Sequence, residues 1–348
     1  MTFDLKKFRS SSLPNQEDIM DAWVDTMPLV SVVCTTFNQK NYVEDSIRGF
    51  LIQKTKFPFE VIIHDDASTD GTSEIIQKYN YLYPKIIIPI IQKENQYSKG
   101  ASILKIAASS ASGEYLAICE GDDFWVNPFK LENQINLFNR DRDCGLVYSQ
   151  AFVLREKNKS IDRNLVGQKF LSNEILYKNP IPTLTTIFKK NLFDKYLLEM
   201  ESKLIDWKMA DYPIWLWFYC NSKIIFLPKS SAVYRVLGGT ASRPNDDEKR
   251  YSFQLNSFEI AEFFAKKICT SIEYDLFLEK RHLILYLYCL KNKMKHSDLH
   301  LLNLKKLKSS KIKTKIVIFI LDDLRLGSII PLLHKITHLS RFARYILN

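Results

Sequence analysis

Two groups of acidic residues stand where their side chains could act together. Glu120, Asp122 and Asp123 lie in the run E-G-D-D directly after an apolar segment, while Asp65 ends another apolar segment and Asp66 follows it. Mg²⁺ and Mn²⁺ take carboxylate oxygens, usually one or two from the protein beside phosphate oxygens and water. A cation held here would neutralise a polyphosphate leaving group. The alternative interpretation is an acidic loop that caps the next helix.

The second acidic loop, residues 64–72, has a simpler interpretation for part of its length. Asp70 or Thr72 can cap the helix that follows, and acidic residues favour the amino end of a helix. A helix cap does not explain Asp65 and Asp66, which would face the same crevice as Glu120, Asp122 and Asp123. A carboxylate at that place can accept an N–H from the edge of a nucleobase.

The elements that would position these residues alternate regularly. Apolar, β-branched runs predict strands, and apolar residues at helical spacing predict helices between them. Strands are expected over 29–35, 59–65, 86–91, 114–119 and 145–153, and helices over 41–53, 72–83, 99–111 and 128–140. This alternation implies an α/β fold with a mostly parallel central sheet, whose ligands bind at the carboxyl ends of the strands. Both acidic groups therefore meet at one edge of the sheet.

Two common phosphate-binding motifs are absent from the sequence. No G-x-G-x-x-G follows a predicted strand, and no G-x-x-x-x-G-K-[ST] occurs among the ten glycines. The charge of a phosphate ligand would therefore have to be met by a metal or by Arg and Lys.

The net charge of +10 is confined to one end of the chain. Residues 291–348 contain thirteen Lys or Arg and three Asp, so the first 290 residues are neutral. A nucleic-acid-binding protein usually carries its basic surface on the binding domain, so we expect no nucleic-acid partner.

The composition indicates a globular protein of a reducing compartment. The chain is 46% hydrophobic and 25% charged, and its six cysteines are scattered without a CxxC pair, which argues against a zinc site. The amino terminus shows no apolar leader, and no stretch reaches the roughly 18 apolar residues of a membrane span. We expect a cytoplasmic location.

Four runs of the sequence carry a resemblance to a known family. In order they are PLVSVVCTTFNQKNYVEDSI, FEVIIHDDASTDGT, ENQYSKG and GEYLAICEGDDFW. Over residues 28–155 the chain resembles the nucleotide-sugar domain of family 2 inverting glycosyltransferases with the GT-A fold, of the bacterial surface-glycan type. The resemblance implies that Thr35 and Phe37 line the base and ribose pocket and that Asp66 reads the base, which we expect to be uracil.

The same resemblance implies a Mn²⁺ or Mg²⁺ cofactor. Asp122 and Asp123 match the family's D-x-D metal motif, with Asp123 the expected direct ligand and Asp122 a metal and nucleotide contact. Many members carry an acid two positions before the pair, and Glu120 takes that place here.

An inverting transfer also needs a general base for the acceptor hydroxyl. Relatives place an acid, often Glu-Asp, at the start of a helix in the second half, and the matching segment here is M-A-D-Y-P-I-W-L. Asp211 is therefore the expected base, although Ala210 replaces the usual Glu. Asp206 is the alternative base, and an ordinary helix-start acid is the alternative role for Asp211.

The run AVYRVLGGTASR resembles the family's flexible segment that closes over the diphosphate. This implies phosphate contacts from Arg235 and Arg243, with Gly238 and Gly239 as the hinge. For Arg243 a solvated loop position is the alternative.

The pattern in the second half is weaker. Strands are expected over 183–190 and 223–236, and helices over 207–220 and 247–292. Trp215 and Trp217 could stack on an acceptor sugar, but a helix this apolar is better explained as core. His64 stands alone at the end of a strand, and a structural role explains it better than a catalytic one.

The carboxyl-terminal residues 328–347 combine apolar residues at helical spacing with a basic opposite face that includes Lys335, Arg341 and Arg344. A helix of this kind can lie on an anionic membrane surface. Packing against the body of the protein is the equal alternative. A polyprenyl-linked acceptor would give a membrane-bound tail a purpose.

We therefore divide the chain into a polar lead-in (1–27), a nucleotide-sugar-binding half (28–155), an acceptor and catalytic half (156–245) and a helical, basic carboxyl-terminal region (246–348). The expected reaction transfers a sugar, with inversion, from a UDP-sugar to a hydroxyl of a cell-surface glycan or lipid-linked oligosaccharide, at the cytoplasmic face of the inner membrane. Two alternatives stay open. One is a nucleotidyltransferase, which would need a basic, glycine-rich loop after the first strand, and the other is a degenerate relative that only binds glycan or membrane.

Overall fold

The computed structural model describes residues 3–204, 207–238 and 246–307. Within them the chain forms two compact units, one made of residues up to 172 together with 179–238, the other of residues 173–178 and those after 238. The division of the first unit into nucleotide-sugar and acceptor halves stays a prediction. The predicted tail helix at 328–347 lies outside the described residues, as do Asp206 and Arg243.

The first unit is built on one nine-stranded sheet with the order β3-β2-β1-β4-β8-β6-β9-β5, and β7 pairs with β6. Its strands are β1 (Val30–Thr36), β2 (Phe59–Asp65), β3 (Ile87–Ile91), β4 (Tyr115–Ile118), β5 (Phe124–Trp125), β6 (Cys144–Arg155), β7 (Ser160–Ile161), β8 (Ile187–Lys189) and β9 (Lys223–Val236). β1, β2, β3 and β4 pair in parallel, as do β6 and β9, whereas the shorter β5, β7 and β8 pair antiparallel. The predicted α/β fold with a mostly parallel sheet is confirmed.

The helices of the first unit are α1 (Leu5–Ser10), α2 (Gln16–Met20), α3 (Val43–Leu51), α4 (Thr72–Leu82), α5 (Ile103–Ser109), α6 (Lys130–Arg140), α7 (Lys190–Leu204) and α8 (Tyr212–Asn221). Short 3₁₀ turns lie at Tyr97–Lys99 and Thr183–Thr185. The second unit contains α9 (Asp247–Ile268), α10 (Ser271–Lys291) and α11 (Ser297–Lys306). The predicted helical region after residue 246 is confirmed over these residues.

The burial of β1 and β2 agrees with their position inside the sheet. β2 is buried at every position and β1 at all but one, as expected for parallel strands covered on both faces. Pro89, which lacks an N–H, lies in β3 at the edge of the sheet, where the missing donor leaves no gap in a ladder.

Three predicted elements begin or end elsewhere in the structure. The expected helix over 99–111 is shortened to α5, because Gly100 has φ +83 and Ser102 caps a new helix by accepting from the Lys105 N–H. The helix expected from Pro128 begins at Lys130, after a turn in which the Asn127 side chain accepts from the Phe129 N–H. The strand expected over 183–190 is a 3₁₀ turn followed by the short β8.

The connection between β4 and β5 positions the acidic residues. β4 pairs with β1, whereas β5, which follows it in the chain, pairs with β9 through Phe124 opposite Val233 and Trp125 opposite Ala232. Residues 119–123 therefore cross from β1 to β9 at the carboxyl edge of the parallel strands. We call this segment the acidic loop.

Across the described ranges, no helix combines the length and the apolar character that a membrane crossing needs.

Candidate active site

The acidic loop, residues 119–123, is held by β1 and α3. The Gly121 N–H donates to the Thr35 carbonyl across 3.0 Å. The Ser46 hydroxyl of α3 lies 2.9 Å from the carbonyl oxygen of Gly121 and 2.5 Å from that of Asp123. The backbone of the loop is therefore fixed from two elements.

At position 121, the centre of this loop, the surrounding atoms leave space for glycine and crowd any side chain. A Cβ there would lie 2.5 Å from both Gln39 Oε1 and Thr36 Cγ2. Gln39 Oε1 is buried and has no hydrogen-bond partner in the described part of the chain. Burial raises the pKa of Asp122, and a hydrogen bond from the Gln39 side chain opposes that rise. The Gln39 amide thus belongs to the immediate surroundings of the acidic group.

The carboxyl groups of the loop repel one another. Burial, followed by the charges of Asp122 and Asp211, raises the pKa of Glu120 to about 8. Burial, followed by the charges of Asp122 and Glu120, raises the pKa of Asp123 well above its usual range. Each of these shifts means that the negative form is disfavoured where it stands. A cation at this place would relieve the repulsion.

The donor set fits a hard divalent cation. Glu120 Oε2 is buried and accepts no hydrogen bond from any described residue, and Gln39 supplies a second buried oxygen without a partner. No group of three or more His, Cys, Asp or Glu side chains in the described ranges is arranged to hold a metal by itself. Mg²⁺ or Mn²⁺ usually takes only one or two protein carboxylates and completes its shell with phosphate and water oxygens. Asp122 and Asp123 would supply those carboxylates.

Arg235 does not reach toward a phosphate, which corrects the sequence-based expectation. Its side chain is fully buried, and its guanidinium forms ion pairs with Asp45 at 2.7 Å and Glu156 at 2.8 Å. Its Nε donates to the Asp122 carbonyl at 2.7 Å and its backbone N–H to Asp123 Oδ1 at 2.6 Å. The guanidinium and the backbone N–H of Arg235 thus donate to groups inside the protein, and two of these bonds hold the acidic loop in place.

Asp66 lies at the end of β2 and fixes the neighbouring loop. Its Oδ1 accepts from the Gln96 N–H at 2.8 Å and its Oδ2 from the Tyr97 N–H at 3.0 Å. The residue is almost completely buried. Each carboxylate oxygen keeps a second lone pair, so the contact between Asp66 and a nucleobase stays a prediction.

The carboxylate of Asp65, by contrast, accepts hydrogen bonds from side chains of the protein. Its Oδ1 accepts from the Thr36 hydroxyl at 3.0 Å, and the hydroxyls of Ser68 and Ser73 also donate to this carboxylate. Asp65 is fully buried. It therefore ties the ends of β1 and β2 to the start of α4.

Exposed aromatic rings flank this end of the sheet. Phe37, in the loop after β1, is 47% exposed, and Thr35 is half-buried. Tyr97, whose N–H binds Asp66, is 69% exposed. The sequence did not single out Tyr97, because only the fold brings its loop to Asp66. These rings are available to a flat ligand such as a nucleobase.

Asp211 caps α8 and is held in one orientation. Its Oδ1 accepts from the Tyr212 N–H at 2.7 Å, and its Oδ2 accepts from the Asn179 amide at 3.1 Å and the Thr183 hydroxyl at 3.0 Å. The residue is half-buried. Its charge makes a smaller contribution to the raised pKa of Glu120 than burial and the charge of Asp122 do.

The turn that carries Thr183 is clamped from the side of the acidic loop. Trp125 Nε1 donates to the Leu184 carbonyl at 2.7 Å, and Gln134 Nε2 donates to the Thr185 carbonyl at 2.8 Å. Sequence reasoning missed these residues, since their partners lie about fifty to sixty positions away and leave no local pattern.

Trp215 and Trp217 are both buried, which agrees with the core interpretation. His64 is fully buried beside Gln92, with the two Nε2 atoms 3.0 Å apart, and burial lowers its pKa. This environment is that of a structural histidine.

Comparisons with known proteins relate this chain to one enzyme family. A family model described as glycosyl transferase family 2 matches residues 31–197. A protein of Mycobacterium tuberculosis (strain H37Rv) is 33% identical over 210 residues, which are 59% of this chain and 58% of that relative. The Escherichia coli protein WfgD, named as a UDP-Glc:alpha-D-GlcNAc-diphosphoundecaprenol beta-1,3-glucosyltransferase, is 26% identical over 189 residues, 54% of this chain and 68% of WfgD. The chain thus matches little more than half the length of its mycobacterial relative.

Solved structures share the fold. TarS of Staphylococcus aureus in complex with UDP-GlcNAc superposes with a TM-score of 0.56 at 18% identity, over 91% of this chain and 87% of that one. The mannosyltransferase PcManGT of Pyrobaculum calidifontis, in complex with GDP-Man and Mn²⁺, gives a TM-score of 0.53 at 15% identity, over 98% and 90%. Together with the motifs and the sheet, these findings show that residues 31–197 match glycosyltransferase family 2 and that the chain has the GT-A fold.

Proposed function

We propose that this chain is a metal-dependent, inverting glycosyltransferase that moves a sugar from a UDP-sugar to a hydroxyl of a cell-surface glycan or lipid-linked oligosaccharide. The observation that supports it best is the meeting of two acidic centres. The acidic loop and Asp211 come from distant parts of the sequence, yet Trp125, two residues after Asp123, donates to the Leu184 carbonyl in the turn whose Thr183 binds Asp211. A cation-binding group and a general base are the two things that this reaction needs side by side.

Asp122 and Asp123 would hold the Mn²⁺ or Mg²⁺ ion. When bound, the ion neutralises the negative charge of the departing nucleoside diphosphate. Phe37 and Thr35 would receive the base and ribose, and Asp66 would accept an N–H from the base.

Asp211 would take the proton of the acceptor hydroxyl. As that proton moves to the carboxylate, the hydroxyl oxygen forms a bond to the anomeric carbon from the side opposite the diphosphate. The bond from the anomeric carbon to the phosphate oxygen breaks, and its electron pair leaves with UDP. The configuration at the anomeric carbon is therefore inverted. Asn179 and Thr183, by holding Oδ2, would fix the direction from which Asp211 approaches.

The relatives support the proposed donor and acceptor classes. TarS binds UDP-GlcNAc in its crystal structure, and the name of WfgD gives a UDP-sugar donor and a diphosphoundecaprenol-linked acceptor. A lipid-linked acceptor would place the reaction at the cytoplasmic face of a membrane, which the basic tail could approach.

The test measures nucleotide binding and sugar transfer together. Thermal-shift screens with UDP, GDP and CDP, each with and without Mn²⁺, should show the largest stabilisation with UDP and Mn²⁺. UDP-Glc and UDP-GlcNAc should then release UDP in the presence of a diphosphoundecaprenol-linked sugar. Failure to bind any nucleotide with Mn²⁺ would contradict the proposal. Pyrophosphate release from UTP and a sugar 1-phosphate would instead identify a nucleotidyltransferase.

A further inference from the structure

The amino-terminal residues, which the sequence presents only as a polar lead-in, pack against the strand that follows the acidic loop. The ring of Phe8 in α1 lies 5.1 Å from that of Phe124 in β5, and the ring of Phe3 lies 5.7 Å from it. Phe124 directly follows Asp123 in the chain. The first helix therefore covers Phe124 of β5, the strand that anchors the acidic loop.

An ion pair joins the same helix to α3. Arg9 binds Asp45 with both ends of its guanidinium, Nε to Oδ1 at 2.9 Å and a terminal nitrogen to Oδ2 at 2.7 Å. The Asp45 side chain is 5% exposed and that of Arg9 43%. Arg48 of α3 also donates to the carbonyl oxygen of Ser11. A bidentate ion pair with one buried partner holds its two side chains in a more fixed geometry than an ordinary surface ion pair does.

Asp45 is also the partner of Arg235. Oδ2 of Asp45 accepts from Arg235 at 2.7 Å, and Glu156 binds the other terminal nitrogen of the same guanidinium at 2.8 Å. Each of these two carboxylates has a second cationic partner: Arg9 binds Asp45, and Lys159 binds Glu156. Arg235 lies over the ring of Phe124, with 5.1 Å from its Cζ to the ring centroid. The ring is thus contacted by both Arg235 and Phe8.

We propose that Arg9 and Asp45 are positioning residues for the cation-binding loop, acting through Arg235. The argument rests on the proposed function. The carboxylates of the acidic loop repel one another, so the loop needs external restraint in order to present Asp122 and Asp123 together. Arg235 provides that restraint through the Asp122 carbonyl and Asp123 Oδ1. Asp45 binds Arg235 directly, and Arg9 holds Asp45 in place.

The experiment measures Mn²⁺ binding by the full chain in the presence of UDP, from the electron paramagnetic resonance signal of free Mn²⁺. Asp45→Asn should raise the dissociation constant of Mn²⁺ about tenfold or more, as expected when an outer partner of a metal site is lost. Arg9→Met should raise it about twofold to fivefold, because this pair is partly exposed. Arg9→Lys, which keeps the charge, should recover part of the loss.

Lys7→Met is the matched control, since Lys7 is an exposed basic residue of the same helix and should leave Mn²⁺ affinity unchanged. Circular dichroism melts of each variant establish that it is folded, and Arg9→Met decides the question if Asp45→Asn does not fold. Equal Mn²⁺ affinity in wild type and all folded variants would overturn the positioning role alone. Wild type that binds no Mn²⁺ with UDP would overturn the proposed function as well.

Discussion

Trp125 Nε1 donates to the carbonyl oxygen of Leu184 across 2.7 Å, and this bond joins the strand after the acidic loop to the turn that holds Asp211. Thr183, one residue before Leu184, donates to Asp211 Oδ2. The proposed cation site and the proposed base are therefore linked through one indole and one turn. Their spacing depends on that contact.

Trp125→Phe tests the link. The ring is largely kept, but the buried Leu184 carbonyl loses its donor, which costs about 1–3 kcal/mol of stability. Because the turn carrying Thr183 is then less restrained, we expect turnover to fall about tenfold to hundredfold, with UDP and Mn²⁺ affinity nearly unchanged. Isothermal titration calorimetry and initial rates separate the two effects.

Trp217→Phe is the control for that substitution. It removes another indole bond, from Nε1 to Oε2 of the exposed Glu199 at 2.7 Å, which does not involve the turn that holds Asp211. It should cost stability without the loss of turnover. Equal kinetic effects in Trp125→Phe and Trp217→Phe would mean that general destabilisation, and not spacing, explains the result.

Asp211→Asn separates the base from the helix cap. The amide oxygen of Asn can still accept from the Tyr212 N–H, but the amide nitrogen that replaces Oδ2 faces the donors of Asn179 and Thr183, so we expect stability to fall by about 1–3 kcal/mol. Loss of the proton acceptor should lower kcat about 10²–10⁴-fold, with donor binding unchanged. Asp246→Asn, the same change at the cap of α9, is the control. Normal turnover in folded Asp211→Asn would move the base to another residue.

The sequence predicted the strands more closely than the site. The bounds of β2 and β9 agree with the predicted 59–65 and 223–236, because long apolar or β-branched runs leave little choice of element. The acidic loop was located because strand ends are local signals, and Asp211 because its segment resembles the matching segment of the family, whereas the helix expected over 207–220 begins only at Tyr212. Their closeness, however, depends on the pairing of β5 with β9 and on a turn that was predicted as a strand.

Arg235 shows where sequence reasoning failed. The resemblance of its segment implied a phosphate contact, but the pairing that buries Arg235 between Asp45 and Glu156 involves residues far away in the chain. Phe3, Phe8 and Arg9 were overlooked for the same reason, since a helix of six residues has too few positions to show an apolar face.

Removing one charge from the acidic loop should stabilise the protein and abolish its metal response. Asp122→Asn takes away a carboxylate whose charge raises the pKa of both Glu120 and Asp123. Without metal, we expect the free energy of unfolding to rise by about 0.5–2 kcal/mol, as is common where function imposes local repulsion. The additional stabilisation by UDP and Mn²⁺ should be lost.

Thermal melts with EDTA, and with UDP and Mn²⁺, check both parts of this prediction. Asp21→Asn, an exposed acid at the end of α2, is the control and should keep the wild-type response. A metal-dependent shift of wild-type size in Asp122→Asn would contradict the assignment of Asp122 to the cation site.

The second unit should lose stability in mild acid because of His300. Tyr251 lies 2.8 Å and His282 3.1 Å from its ring nitrogens, and burial, followed by the charges of His282 and His296, lowers its pKa to about 4. The folded state therefore favours neutral His300, so the free energy of unfolding is greatest above the ordinary pKa of 6.5 and falls as the pH is lowered toward about 4. Urea unfolding followed at pH 7 and pH 5 should show a smaller difference in His300→Gln than in wild type. His296→Gln should reduce the wild-type difference only in part, because the charge of His296 is a smaller cause of the lowered pKa of His300 than burial is. An unchanged difference in His300→Gln would assign the acid sensitivity to another group.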